Sequence, residues 1–188
     1  MKFNPNNLVK DKKYCEELFK HYLKTKALRK TNPEYKKYLN KAISNLDFAN
    51  FLLEEHNFSI KEKLPNRNYY DWCIIIYYYS IYHTSLALLA KLGYKSNSHL
   101  ATLTAITLFY YHKDNILKKE DIDFLLEKIT LDKNEIDFVI ESKELRERAC
   151  YGVDESFNIS ITKTLQKETV DFVNKIKELL TWGENDRT

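Results

Sequence analysis

Tyr70-Asp-Trp-Cys-Ile-Ile-Ile-Tyr-Tyr-Tyr-Ser-Ile-Tyr-His83 belongs to an apolar run that extends from Tyr69 to Ala90. The run covers nearly every helical face, as expected of a helix buried in the middle of a bundle. It is too long for a strand, and Gly93 is a natural helix stop. The pattern therefore predicts a helix from about Tyr69 to Leu92. Trp72, Ile75, Ile76, Tyr79, His83, Leu86 and Leu89 are expected in the core or in a dimer interface.

Working outward, Thr31-Asn-Pro-Glu34 combines a threonine three residues before a glutamate with an early proline, which marks a helix start. Beyond it Tyr35, Leu39, Ala42, Leu46, Ala49 and Leu53 alternate steps of four and three, the seam of a helix packed at a shallow angle on a partner. This helix should stop near His56-Asn57, and residues 57–68, with Pro65, form the longest break. Upstream, residues 11–30 carry Tyr14, Cys15, Leu18, Phe19, Tyr22 and Leu23 at helical spacing and suggest an N-terminal addition packed on a bundle. Downstream, Ser96-Asn-Ser98 can cap a helix over 98–112, followed by a break at Lys113-Asp-Asn115 and a short helix over Lys119 to Ile129. Ile122, Leu125, Leu126 and Ile129 form its apolar positions. Asp132-Lys-Asn-Glu135 has capping-box spacing for a helix to about Cys150, and Ser160 can cap a last helix with Leu165, Val170, Phe172, Val173, Ile176, Leu179 and Leu180 inward. The expected architecture is all-α: an antiparallel bundle of about five to six helices over 31–182, an N-terminal helical extension over 1–30, and a frayed tail over 183–188.

Composition agrees with that class. In 188 residues there are only three glycines and three prolines, so the tight turns of a β-rich fold would lack their usual residues. Three cysteines, Cys15, Cys73 and Cys150, lack paired metal spacing and read as reduced intracellular thiols. No apolar run is expected to approach a membrane span, and the N-terminal Met-Lys-Phe-Asn-Pro-Asn-Asn has no apolar core of a signal peptide, so a soluble, cytoplasmic protein is expected. Net charge is +3, from 30 basic and 27 acidic residues, too weak a field to argue for nucleic acid by itself. Its distribution is uneven, since Lys10, Lys12, Lys13, Lys20, Lys24, Lys26, Arg29, Lys30, Lys36, Lys37 and Lys41 face few acids between residues 10 and 41. Such a face can hold phosphates, although a solvated helix face explains it as well.

The chemistry-bearing residues are few. His83 lies within the apolar helix, where it is either a satisfied core histidine or a group titrating near neutral pH. Tyr77-Tyr-Tyr79 point in different directions on a helix and make no continuous stacking platform. Ser98-His99 at a helix start offers an anion site or simply a cap. Cys150, near Arg146 and Arg148, is either a lowered-pKa thiol or inert packing. Zinc pairs, a phosphate-cradling glycine loop and a hydrolase serine elbow are all missing from the sequence, and neither metal nor cofactor is expected. The remaining cluster is Arg146, Arg148, Tyr151 and Asp154, within Leu145-Arg-Glu-Arg-Ala-Cys-Tyr-Gly152. Its arginines can hold a phosphate or stabilise a developing charge, and equally can favour a helix C-terminus.

Three segments in order carry a resemblance: Asp71-Trp72 with Tyr78-Tyr79 to His83, then Gly93-Tyr-Lys-Ser-Asn-Ser-His99, then Leu145 to Gly152. Over roughly residues 34 to 180 the chain resembles the HEPN family (higher eukaryotes and prokaryotes nucleotide-binding domains), in its branch of small stand-alone prokaryotic proteins. The resemblance implies an antiparallel helical bundle, usually a homodimer, often encoded with a small nucleotidyltransferase as a toxin and antitoxin pair. Many members are metal-independent ribonucleases whose motif is an arginine followed four to six residues later by a histidine. In this chain His112 is the last histidine, so none follows Arg146, and cysteine replaces the family's aspartate at Cys150. Proton transfer from an RNA 2′-hydroxyl needs a titratable group, which arginine is not. The resemblance thus implies RNA or nucleotide binding through Arg146, Arg148, His99 and Asp154 with weak or absent cleavage. The alternatives are a ribonuclease using Arg146, Tyr151 and a displaced base such as His83 or His99, and a non-catalytic interaction module.

Overall fold

The computed structural model describes residues 3–64, 69–129 and 159–181. These are mostly helical, and they form two compact units. The described part of unit 1 is residues 3–38 and 85–129; that of unit 2 is 39–64, 69–84 and 159–181. The expected helix over 132–150, and with it Cys150, lies outside the described residues.

In unit 1 the chain begins with α1 (Pro5–Lys10) and α2 (Lys12–Lys24). Asn4 caps the first through the Asn6 N–H, with proline in its opening turn, and Asp11 caps the second through the Tyr14 N–H. Leu8, Cys15, Leu18 and Phe19 are buried, and α2 packs on α6 (His99–Ile106) and on the π-helical segment Thr107–Lys113 that continues it. The first thirty residues therefore supply core to a unit that also contains residues 85–129. The Cys15 thiol meets the Thr104 carbonyl at 3.5 Å, and His112 Nε2 lies 2.9 Å from the Leu8 carbonyl oxygen. The helix expected over 11–30 ends at Lys24, because Lys26 adopts φ 62 and Leu28–Lys30 becomes a strand, β1. It pairs antiparallel with β2 (Tyr94–Ser96), in the register Leu28 with Ser96, Arg29 with Lys95 and Lys30 with Tyr94. Gly93 turns into β2 at φ 81, and its carbonyl accepts from the Thr31 N–H at 2.8 Å. At the other end of unit 1, the Tyr110 carbonyl accepts from both the Ile116 and Leu117 N–H groups, and α7 (Lys119–Ile129) follows with Ile122 and Leu125 buried and Leu126 half-buried.

In unit 2 the seam expected for α3 (Tyr35–Glu55) is realised: Leu39, Ala42, Leu46, Ala49 and Leu53 are its buried residues. The helical path does not stop at His56-Asn57. It widens into a π-helical turn over His56–Ile60 and runs on through α4 (Lys61–Lys63), so the expected break is shorter than its sequence suggested. The long helix α5 (Tyr70–Lys91) contributes residues 70–84 to unit 2 and 85–91 to unit 1. Its buried residues include Cys73, Ile74, Tyr77, Tyr78 and Ile81, whereas Trp72 is 54% and Tyr79 44% exposed, so of the two places expected for these two side chains the core is excluded. Ile75, Ile76, His83 and Leu86 are half-buried, and of the expected set only Leu89 is fully in a core. An apolar run on all faces carries no phase, so the pattern alone does not separate core positions from interface positions. The last helix, α8 (Ile159–Thr181), buries Phe172, Val173, Ile176 and Leu180; it starts before Ser160, which is therefore not its cap. Leu46, Ala49, Leu53, Cys73, Tyr77 and Val173 form one core cluster, flanked by Tyr70, Ile76, Leu165 and Val170.

The expectation that nothing approaches a membrane span needs correction, since α5 is long and apolar enough to cross one. Two-thirds of its apolar window is buried inside the protein, as in the core helix of a soluble bundle.

Candidate functional site

Of the residues the sequence nominated, Arg146, Arg148, Tyr151 and Asp154 lie outside the described residues, and His83 and His99 lie within them. His83 belongs to unit 2 and His99 to unit 1.

His83 lies one turn from Tyr79 and beside Tyr82. Its ring is stacked on Tyr79 with centroids 6.5 Å apart and tilted against Tyr82 at 5.8 Å. The Nδ1 atom is buried and has no hydrogen-bond partner among the described residues. Burial, and then the Lys41 ammonium on α3, hold the imidazole below its ordinary value of 6.5. A neutral imidazole is the proton-accepting form, so His83 has the protonation state of a base, while the aromatic packing around it equally suits a structural histidine.

Tyr77 and Tyr78 are buried and only Tyr79 is exposed, in keeping with three consecutive helical positions making no stacking platform. Tyr78 lies parallel to Tyr82 at 6.2 Å, and the Tyr77 hydroxyl donates to Asn50 Oδ1 at 2.8 Å. Serine capping describes the start of α6: Ser98 Oγ accepts from the Ala101 N–H, the Ser98 carbonyl accepts from the Thr102 backbone and hydroxyl, and Ser96 Oγ accepts from the Ser98 N–H. Ser98 thus serves as the cap of α6, one of the two roles that Ser98-His99 offered. Cys15 and Cys73 are free and fully buried; burial first, then the charges of Glu16 and Asp71 respectively, push both thiols up to about 12. Neither is a nucleophile at neutral pH. No group of three or more His, Cys, Asp or Glu side chains that could hold a metal occurs among the described residues.

Sequence reasoning passed over His56. It is 6% exposed, stacks on Tyr70 at 4.0 Å with rings 22° apart, and accepts from the Tyr69 N–H through Nε2 at 3.2 Å. The signal was available: the α3 seam of steps of three and four, continued past Leu53, lands on His56. The chain matches no protein-family model and none of the curated proteins.

Proposed function

We propose that the chain is a HEPN-type protein that binds RNA or a nucleotide through a cleft between two copies, lined by Arg146, Arg148 and Tyr151, with weak or absent nuclease activity. In this reading it is one component of a toxin and antitoxin pair, its partner a nucleotidyltransferase. The observation that carries the reading is the ordered set of three sequence segments: Asp71 to His83, Gly93 to His99 and Leu145 to Gly152. The local structure is compatible with the first two. One lies on the long helix α5, and the other is the Gly93 turn, the strand β2 and the Ser98 cap that opens α6. Support for a homodimer comes from α5, where Trp72 and Tyr79 are exposed two turns apart with Ile76 and His83 half-buried on the same stripe.

The second reading, a ribonuclease with a displaced base, draws on one observation, the neutral half-buried imidazole of His83. Purified protein incubated with total RNA and tRNA in EDTA separates them, with Arg146→Ala and a His83→Ala/His99→Ala double variant alongside. The expected result is RNA binding that Arg146→Ala abolishes, with little or no cleavage. Cleavage lost in both variants would establish the ribonuclease instead. RNA neither bound nor cut would leave the interaction module.

A further inference from the structure

The two strands of unit 1 come from segments unusually poor in acid. From Leu18 to Pro33 there is no aspartate or glutamate, while Lys20, Lys24, Lys26, Arg29 and Lys30 occur there. From Trp72 to Lys113 acids are again missing, while Lys91, Lys95 and Lys113 occur. The ribbon joins these segments in a register that sets Arg29 directly opposite Lys95. Directly opposed residues of an antiparallel pair have Cβ atoms about 5 Å apart, and like charges there oppose pairing. Both side chains are exposed, on the face opposite buried Leu28, and neither has an acidic partner among the described residues.

Other cations lie on the ribbon's opposite face and flank, since Lys30 and Tyr94 alternate with Arg29 and Lys95. Lys30 is exposed at the end of β1. Lys113 lies 4.3 Å from the Phe109 ring, which in turn is 6.2 Å from the ring of Tyr94 in β2. Lys91 lies 4.3 Å from the Tyr35 ring, just before the Gly93 turn into β2. A ribbon that holds Arg29 and Lys95 opposite each other with no acidic partner among the described residues stores repulsion that a bound polyanion would relieve.

We propose that this ribbon is a contact surface for the phosphate backbone of RNA. The ligand class rests on the RNA-binding reading above, but the site uses none of that cleft's residues. Its chemistry favours nucleic acid over an acidic protein: Arg29, Lys30 and Lys95 face solvent with no exposed aromatic or aliphatic anchor on the ribbon, whereas protein interfaces depend on such anchors. Backbone phosphates need only the charges.

The test is fluorescence anisotropy with a labelled RNA oligonucleotide over a salt series. It compares wild type, Arg29→Gln/Lys95→Gln, the charge-matched control Lys12→Gln/Lys13→Gln on exposed α2 positions, and Arg146→Ala. Circular dichroism checks that each variant keeps the wild-type helical signal. Loss of two phosphate contacts should reduce the log–log salt slope by about 1.4 and weaken binding roughly tenfold. The control should match wild type. Equal binding by wild type and Arg29→Gln/Lys95→Gln, or an equal loss in the control, overturns the proposal. So does a wild type that ignores RNA yet binds polyglutamate or phosphatidylserine vesicles through Arg29 and Lys95. If Arg146→Ala alone abolishes RNA binding, the ribbon fails and the cleft stands. If the ribbon variant alone loses it, the cleft fails and the ribbon stands.

Discussion

Asn50 is a polar tie among three helices of unit 2, and cutting it has a calculable cost. Its Oδ1 accepts from the Tyr77 hydroxyl on α5 at 2.8 Å and from Gln166 Nε2 on α8 at 2.9 Å. Tyr77 is 0% exposed, so its hydroxyl cannot turn to water when the acceptor is removed. Asn50→Leu should therefore cost about 2 kcal/mol, mostly from stranding that hydroxyl. Gln166 is half-buried and adds only tenths, since its amide can reach solvent. Tyr77→Phe leaves Asn50 bonded to Gln166 and loses one hydrogen bond, about 1 kcal/mol. In the double variant no hydroxyl is left to strand, so the total should be about 1 kcal/mol rather than the roughly 3 kcal/mol that independent effects would give. Urea titrations followed by far-UV circular dichroism, compared at unchanged denaturant slope, measure all three. Losses that simply add, within about 0.4 kcal/mol, would show that the two side chains are not coupled and refute the argument.

Two further outcomes follow from local geometry. The folded-state value of His83 is depressed, so the unfolded chain takes up its proton first as pH falls below about 6.5, and stability contributed by neutral His83 is lost from there toward the folded value. Urea midpoints measured on either side of that window should fall more for wild type than for His83→Gln, and parallel profiles would exclude the linkage. At Gly93 an added Cβ would stand 3.4 Å from the Thr31 carbonyl oxygen, an ordinary contact, so Gly93→Ala should cost only the left-handed backbone, about 1–2 kcal/mol. A thermal melt should drop by about 2–8 °C, and an unchanged melting temperature would mean that the turn re-forms without a positive φ.

Much of the helical order was legible because period and caps agreed. The α3 seam fell on the residues that are buried, and Ser98 caps α6 as its position before an apolar run suggested. The inward face of α5 was not legible, because hydrophobicity on every side removes the periodic signal. Three-residue strands are too short to show alternation, and Leu28-Arg-Lys30 in a lysine-rich segment looked like more of a basic helix. The π-helical stretches after Glu55 and Ile106 changed where helices end without leaving a proline or glycine to mark them. For the candidate site, sequence located His83, but its unpartnered Nδ1 and lowered basicity depend on Tyr79, Tyr82 and Lys41, two of them neighbours in the run and one from another helix. Arg146, Arg148, Tyr151 and Asp154 rest on the sequence pattern alone.

The ribbon and the contacts around it also bear on how the chain folds during synthesis. Unit 1 is closed by Cys15 against Thr104 and by Leu8 against His112, pairs separated by 89 and 104 residues. Unit 2 is closed by Asn50 against Gln166, 116 residues apart. Neither unit can complete its packing while the N-terminal half alone has left the ribosome, and α2, with Leu18 and Phe19 as yet unburied, must wait for α6. Helical proteins usually fold fast because their contacts are local. Here the helices are local and their closure is not, so the nascent chain passes through a long interval of formed but unpacked helices, the stage at which chaperones act.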